Sequence, residues 1–368
     1  MLKAYKYRLY PNNEQKVMLA KTFGCVRLVY NKMLNERIET YKEYKDDKEE
    51  LKKQKYPTPA KYKNDYPFLK EIDSLALANA QLNLDKAYKK FFKEGMGFPK
   101  FKSKKEHNYS YTTNMVNGNI KLEGNMIKLP KVGFIEVRFH RKFEGVIKSC
   151  TISQVPSGKY YISILVDTEN IQAPKNNKVY AFDLGLKEFL IDSKGEHIEN
   201  PKTIYKYEEK LSKLQRKIAH KQKGSGNWCK ARIKIARLHE KITNIRKDFL
   251  NKLSSKIINE NQVIISEDLN IKGMLKNHNL AKAVSDVSWG EFTRQLEYKA
   301  KWKGRTYHKI DRWFASSQTC SKCGSINKEV KLLSIREWLC ESCGEKHQRD
   351  ENAAKNIKMQ GMKELGLV

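Results

Sequence analysis

No apolar run in the chain approaches membrane-spanning length, and Met1 to Pro11 lacks the hydrophobic core of a secretory signal. A membrane partner is therefore not expected, and a cytoplasmic location is. Acid is scarce as well: 42 Asp and Glu stand against 73 Lys and Arg in 368 residues, a formal charge of +31. The basic excess is spread along the chain and not gathered in a tail. A chain that repels itself this strongly usually meets a polyanion, and phosphate backbones are the commonest one. The plainer alternative is a lysine-rich soluble protein whose coding sequence drifted towards Lys, Asn and Ile. Cysteine is scarce too, with seven in all: Cys25, Cys150, Cys229 and a late group of four. That usage suits a reducing compartment and a metal site, with no disulfides expected.

The length allows roughly two to three domains. Tyr5, Tyr7 and Leu9 alternate with Lys6 and Arg8, which reads as a half-buried strand over Leu2 to Tyr10, ended by Pro11. From Asn12 to about Lys93 the apolar spacing is helical, with breaks expected near Gly24 and across Lys55 to Pro67. Beyond Gly95 the pattern turns to strands. Hairpins are predicted over Ile120 to Leu129, turning at Gly124-Asn125, and over Val146 to Val166, turning at Pro156-Ser157-Gly158. A small β-barrel that includes the first strand and is split by a helical block (12–97, with barrel segments 1–11 and 98–172) is the simplest arrangement.

After a linker at Gln172 to Lys178 the character is α/β. Val179 to Phe182 reads as a buried strand, with Phe189 to Ile191 as its neighbour. Ile204, Tyr207, Leu211, Leu214 and Ile218, then Ile235, Leu238, Ile242, Ile245 and Phe249, recur at helical spacing on either side of Lys223-Gly224-Ser225-Gly226. That predicts a helical hairpin over 203–258. Its outer face is rich in Lys and Arg and short of acids, and Arg216, Lys217, Arg232 and Arg237 are candidates to track a phosphate backbone. The other reading is a solvated helix face.

Three carboxylates sit where a nuclease fold needs them. Asp183 follows the apolar run Val179 to Phe182, Glu267 follows Val263 to Ser266, and Asp350 lies at the start of a final helix. Acids at neighbouring strand ends, with one from an adjacent helix, can converge although distant in sequence. Their mutual repulsion calls for divalent cations, and two Mg2+ or Mn2+ ions about 4 Å apart would serve phosphodiester hydrolysis. Taken alone, each acid has a structural explanation, and Asp350 could simply cap its helix.

Cys320-x2-Cys323 and Cys340-x2-Cys343 are separated by sixteen residues, and Gly324 and Gly344 follow the pairs. This is the knuckle spacing of a tetrahedral Zn2+ ribbon, here over 316–346. A redox pair is the alternative. The ribbon falls between Glu267 and Asp350, so it interrupts the nuclease half (173–315 and 347–368) and is expected beside the cleft. Cys25, Cys150 and Cys229 are expected to pack as small apolar residues.

Several segments together resemble a known family: Phe182-Asp183-Leu184-Gly185-Leu186-Lys187, Ser266-Glu267-Asp268-Leu269-Asn270, Trp289-Gly290-Glu291-Phe292, Asp311-Arg312-Trp313-Phe314, Ser316-Ser317-Gln318-Thr319-Cys320 and Arg349-Asp350-Glu351-Asn352-Ala353-Ala354. The chain is similar to TnpB, the transposon-encoded RNA-guided DNA endonucleases from which type V CRISPR effectors descend. The resemblance covers nearly the whole chain and is closest from Ala181 onward. It implies a multidomain α+β fold: a wedge β-barrel with a helical recognition insert, then an RNase H-like (RuvC) α/β nuclease interrupted by the helical hairpin and the zinc ribbon. It assigns the nuclease acids to Asp183, Glu267 and Asp350. It further implies a guide RNA from the transposon end, a double-stranded DNA target with a short adjacent motif, a monomer bound to RNA, and association with the nucleoid.

The motif-reading region departs from the family pattern, with Leu77-Ala78-Asn79-Ala80-Gln81-Leu82 in place of Leu-Gln-x-Ala-Leu. Asn79 and Gln81, and Thr112, Thr113 and Asn114, are candidate base contacts. Three other functions compete: a protein-only nuclease, a guided DNA-binding regulator that never cuts, and a transposase proper.

Overall fold

The computed structural model describes residues 1–170, 172–332 and 334–368. These fall into two compact units, Met1–Glu169 and Asn170–Val368.

The first unit runs β1 (Leu2–Tyr10), α1 (Asn13–Tyr44), α2 (Lys48–Lys53), α3 (Tyr62–Asp65), α4 (Ser74–Glu94), β2 (Tyr109–Asn114), β3 (Lys121–Glu123), β4 (Met126–Leu129), β5 (Gly133–Arg138), β6 (Val146–Gln154) and β7 (Tyr160–Asp167). The alternation in β1 holds, with Tyr7 and Leu9 buried and Lys6 and Tyr10 exposed. Asn12 then starts α1: its side chain accepts from the Gln15 N–H, and the Gln15 side chain accepts from its own.

The break expected at Gly24 is absent, and α1 passes straight through it. Glycine costs a helix interior about 1 kcal/mol. Its neighbours Phe23, Cys25 and Val26 are buried, and each large apolar side chain contributes roughly 1.5–3 kcal/mol. Packing wins. The second break is real, since only α3 and a 3-10 turn at Pro67–Glu71 interrupt the chain between Lys53 and Ser74.

Both hairpins form at the expected turns, β3 with β4 and β6 with β7. Strands β2 and β5 join them, and in β5 the buried Ile135 and Val137 alternate with the exposed Glu136 and Arg138, a period-two signal that the hairpin expectations did not use. All seven strands make one antiparallel sheet in the order β2-β6-β7-β1-β5-β4-β3. The first strand in sequence therefore lies between β7 and β5, and the helices are an insertion after it. Among the described residues no pairing joins the edge strands β2 and β3, so the expected barrel is a half-barrel. Tyr7, Leu9, Ile135, Ile152 and Ile162 share its core with Leu19, Phe23, Leu77 and Leu84 of α1 and α4.

The second unit runs β8 (Val179–Leu184), β9 (Glu188–Asp192), β10 (His197–Glu199), α5 (Thr203–Ala219), α6 (Gly226–Glu260), β11 (Val263–Glu267), α7 (Ile271–Met274), α8 (His278–Val287), α9 (Trp289–Lys303), β12 (Thr306–Ile310), β13 (Glu337–Leu339), β14 (Lys346–Gln348) and α10 (Arg349–Glu364). Its main sheet has the order β10-β9-β8-β11-β12. The first three strands are antiparallel to one another, and β8, β11 and β12 are parallel.

Side-chain alternation gives this sheet two covered faces. Ala181 and Ile265 pack with Ile357 of α10 on one. Phe182 and Ile264 pack with Leu250 and Ile257 of α6 and Phe292 of α9 on the other. The helical hairpin forms from α5 and α6, with Leu238 and Ile242 buried along its seam.

Candidate active site and metal centre

Asp183 is the penultimate residue of β8, which continues to Leu184, and Glu267 is the last residue of β11, so both carboxylates stand at strand ends. The parallel register pairs Val263 with Val179 and Ile265 with Ala181. Carried two residues further, it sets Glu267 level with Asp183 on the neighbouring strand, and both on the α10 face. Asp350 enters from the first turn of α10. All three line one cleft of about 520 Å3, together with Ser316, Arg336 and Arg349.

The electrostatics follow from that placement. Burial pushes the Asp183 carboxyl well above its ordinary range, and the charges of Glu267 and Asp350 push it the same way. The Leu184 N–H and Arg349 oppose the shift and do not cancel it. Burial also raises Glu267, against a hydrogen bond from the Ser316 hydroxyl. Asp350 is paired with Arg336, Nη1 to Oδ2 at 3.2 Å. A carboxylate that its neighbours hold off ionisation is a site short of positive charge, and hard oxygen donors suit Mg2+ or Mn2+. The helix-cap explanation for Asp350 falls away, since the Gln348 side chain caps α10 by accepting from the Glu351 N–H.

The four cysteines of the ribbon converge, with their Sγ atoms within 4.8 Å of one another. Cys320–Cys343 and Cys323–Cys340 are 3.7 and 3.6 Å apart. The edge of a tetrahedron with Zn–S bonds of about 2.3 Å is about 3.8 Å, so the donor set fits Zn2+ and is far too wide for disulfides. Gly324 and Gly344 have φ of 80° and 68°, and each N–H returns to the carbonyl of the first cysteine of its pair. Such turns need the left-handed region that glycine enters freely. His347, which the spacing did not point to, sets Nε2 3.0 Å from Cys320 Sγ. Cys25 and Cys150 are buried as expected, and Cys229 is half-buried.

Other candidates are less available. Thr113 is completely buried in β2 and cannot meet a base, which corrects that expectation. Thr112 is bonded to Thr151 across the sheet, and Asn79 spends its amide on the Leu75 carbonyl one turn back. Gln81 and Asn114 are part-exposed. On the hairpin, Arg216, Lys217 and Arg237 are exposed, whereas Arg232 is half-buried over the Trp228 ring, 5.5 Å from its centroid. Sequence reasoning missed Ser316, Arg336 and Arg349, although Ser316 and Arg349 stand within segments that carried the resemblance.

Three family profiles match the chain: OrfB_IS605, described as a probable transposase, over residues 162–278; the TNB domain of Cas12f1-like proteins over 289–357; and an OrfB helix-turn-helix domain over 1–46. That last stretch is β1 followed by the single helix α1. Fold, site and profiles define a protein of the transposon OrfB class. A Streptomyces pristinaespiralis protein named as an RNA-guided DNA endonuclease is 38% identical over 98% of this chain and 89% of its own length. Escherichia coli InsQ, named likewise, is 30% identical over 97% and 91%. The chain belongs to this family, the TnpB-like RNA-guided DNA endonucleases. Its fold is also that of the solved Cas12f1–sgRNA–target DNA complex, with TM-score 0.58 and 14% identity over 97% of this chain and 98% of that one.

Proposed function

We propose that the chain cuts duplex DNA next to a short motif, under the direction of a guide RNA from the transposon end, with Asp183, Glu267 and Asp350 as its catalytic carboxylates. The observation that carries this reading is that Asp183 and Glu267, each two residues beyond the last paired position of adjacent parallel strands, line one cleft with Asp350. A mixed sheet with acids on its two central neighbours supports an RNase H-like (RuvC) nuclease. The three carboxylates would hold divalent magnesium or manganese, which when bound would supply an activated water and stabilise the leaving oxygen. Ser316 orients Glu267 by donating to it, and Arg336 neutralises Asp350 until a cation or a phosphate competes. Cys320, Cys323, Cys340 and Cys343 would bind Zn2+, which would hold the ribbon together. The half-barrel serves as the wedge domain, its helical insertion reads the adjacent motif, and the protein acts as a monomer with its RNA in the cytoplasm and on the nucleoid.

Sequencing RNA that copurifies with the protein, then assaying cleavage of matching duplex DNA in Mg2+, tests this function. A discrete RNA and cuts that require it are expected. Cutting without RNA would establish a protein-only nuclease, and guided binding without cutting would establish a regulator.

A further inference from the structure

The two metal sites share a scaffold. Asn352 and Asn356 lie one turn apart on α10, both almost fully buried, and neither faces the cleft lining. Asn352 Oδ1 accepts from the Ser321 N–H at 2.9 Å, and its Nδ2 donates to the Thr319 carbonyl at 2.7 Å. Those two residues flank Cys320 in the chain. Asn356 Nδ2 donates to the Thr319 carbonyl at 2.5 Å and the Ser316 carbonyl at 2.8 Å. Ser316 in turn donates its hydroxyl to Glu267. On the other side of the knuckle, His347 approaches Cys320 Sγ while packing on Trp338, three residues before Asp350. The Arg349 N–H is bonded to the Arg336 carbonyl at 2.8 Å, and the Arg336 guanidinium holds Asp350.

We propose that Asn352 and Asn356 are positioning residues that transmit occupancy of the four-cysteine site to the carboxylate cleft, so that loss of the ribbon metal weakens divalent-cation binding by Glu267 and Asp350. The physical reason is local. Two buried primary amides satisfy the backbone on both sides of Cys320, and a side-chain amide has the right donor and acceptor geometry for such a bracket. Asp350 and both amides belong to one helix, so a shift of the knuckle displaces the first turn of α10 or strands buried polar groups without partners, which is unfavourable. Glu267 is reached through the same bracket by way of Ser316. With the cysteines free of metal, four sulfurs at these separations have no covalent reason to stay together, and the bracket loses its rigid end. The inference rests on the proposed carboxylate site.

The test uses the RNA-bound full chain and reads Mn2+ binding by electron paramagnetic resonance, with zinc measured by elemental analysis. Asp183→Ala identifies the signal as the cleft's. The Asn352→Ala/Asn356→Ala protein should keep its zinc and its RNA and bind Mn2+ about 10-fold or more weaker, the usual effect of removing a group that orients a ligand. Chelating zinc from the wild type should give a similar loss, and chelating it from the double variant should add little. Asn352→Ser and Asn356→Ser, whose hydroxyls still donate to a carbonyl, should fall between, and they stand in if the double variant does not fold. Equal Mn2+ affinity in variants and wild type, or zinc losses that simply add, overturn the coupling while leaving the nuclease site intact. No Asp183-dependent Mn2+ binding in the wild type overturns both.

Discussion

Gly361 of α10 lies so close to Ile265 of β11 that a Cβ on it would sit 2.4 Å from Ile265 Cγ2. The contact is between a helix and the strand that carries Glu267, and the same helix carries Asp350. Alanine is the better helix former by about 1 kcal/mol, but here overpacking costs typically 1–3 kcal/mol because Ile265 is β-branched and completely buried. Gly361→Ala should therefore lower the melting temperature and reduce cutting, by lifting α10 and its carboxylate from the sheet. A variant that melts at or above the wild-type temperature would contradict this close packing.

Asp183→Ala should abolish cleavage while guided DNA binding stays near wild type, since affinity comes mainly from base pairing and basic contacts. Asp183→Asn adds a second reading. A carboxyl whose folded value is raised contributes its stability below the unfolded value, and that stability is lost as pH rises through the folded one. In chelator at neutral pH the Asn protein, free of that repulsion, should melt above the wild type. Comparable melting curves, or substantial residual cutting by the Ala protein, would remove Asp183 from the centre.

His197 on β10 stands between Glu188 and Glu351, with Nε2 3.3 Å from Glu351 Oε1. Burial draws its pKa down, but hydrogen bonds and charge from the two carboxylates outweigh that, and the net shift is upward from 6.5. Its stabilising contribution should be fully present below about 6.5 and disappear as pH rises through the higher folded value. Melting temperatures of wild type and His197→Gln, measured from pH 5.5 to 9, should differ most at the acid end and converge at the alkaline end. A constant gap would show that the histidine acts by packing alone.

The basic face of the α5–α6 hairpin is open to a salt test. If Arg216, Lys217, Arg232 and Arg237 meet phosphates, substituting all four with Gln should weaken nucleic-acid binding. The slope of log affinity against log salt should become shallower by roughly 0.7–0.9 per lost contact. Arg232 should contribute least, being half-buried over Trp228. An unchanged slope in a protein of unchanged melting temperature would make this face a solvated surface.

The sequence alone determined what local pattern and spacing can specify. Alternation located β1, helical periodicity located the α5–α6 hairpin, and two Cys-x2-Cys pairs closed by glycine located the ribbon. Each depends on residues near one another in the chain. The three carboxylates were also legible, because apolar runs before Asp183 and Glu267 and polar helix-start residues around Asp350 mark strand ends and a helix start. Tertiary structure decided the rest. Gly24 was overruled by the burial of its neighbours, and Thr113 was hidden by pairing with a strand far along the chain. The partners of the acids (Ser316 for Glu267, Arg336 for Asp350, Asn352 and Asn356 around Cys320) are hydrogen bonds between segments that only the folded sheet brings together. Such bonds leave no periodicity in the sequence, because a serine or asparagine reads the same whether it faces water or holds a buried carbonyl.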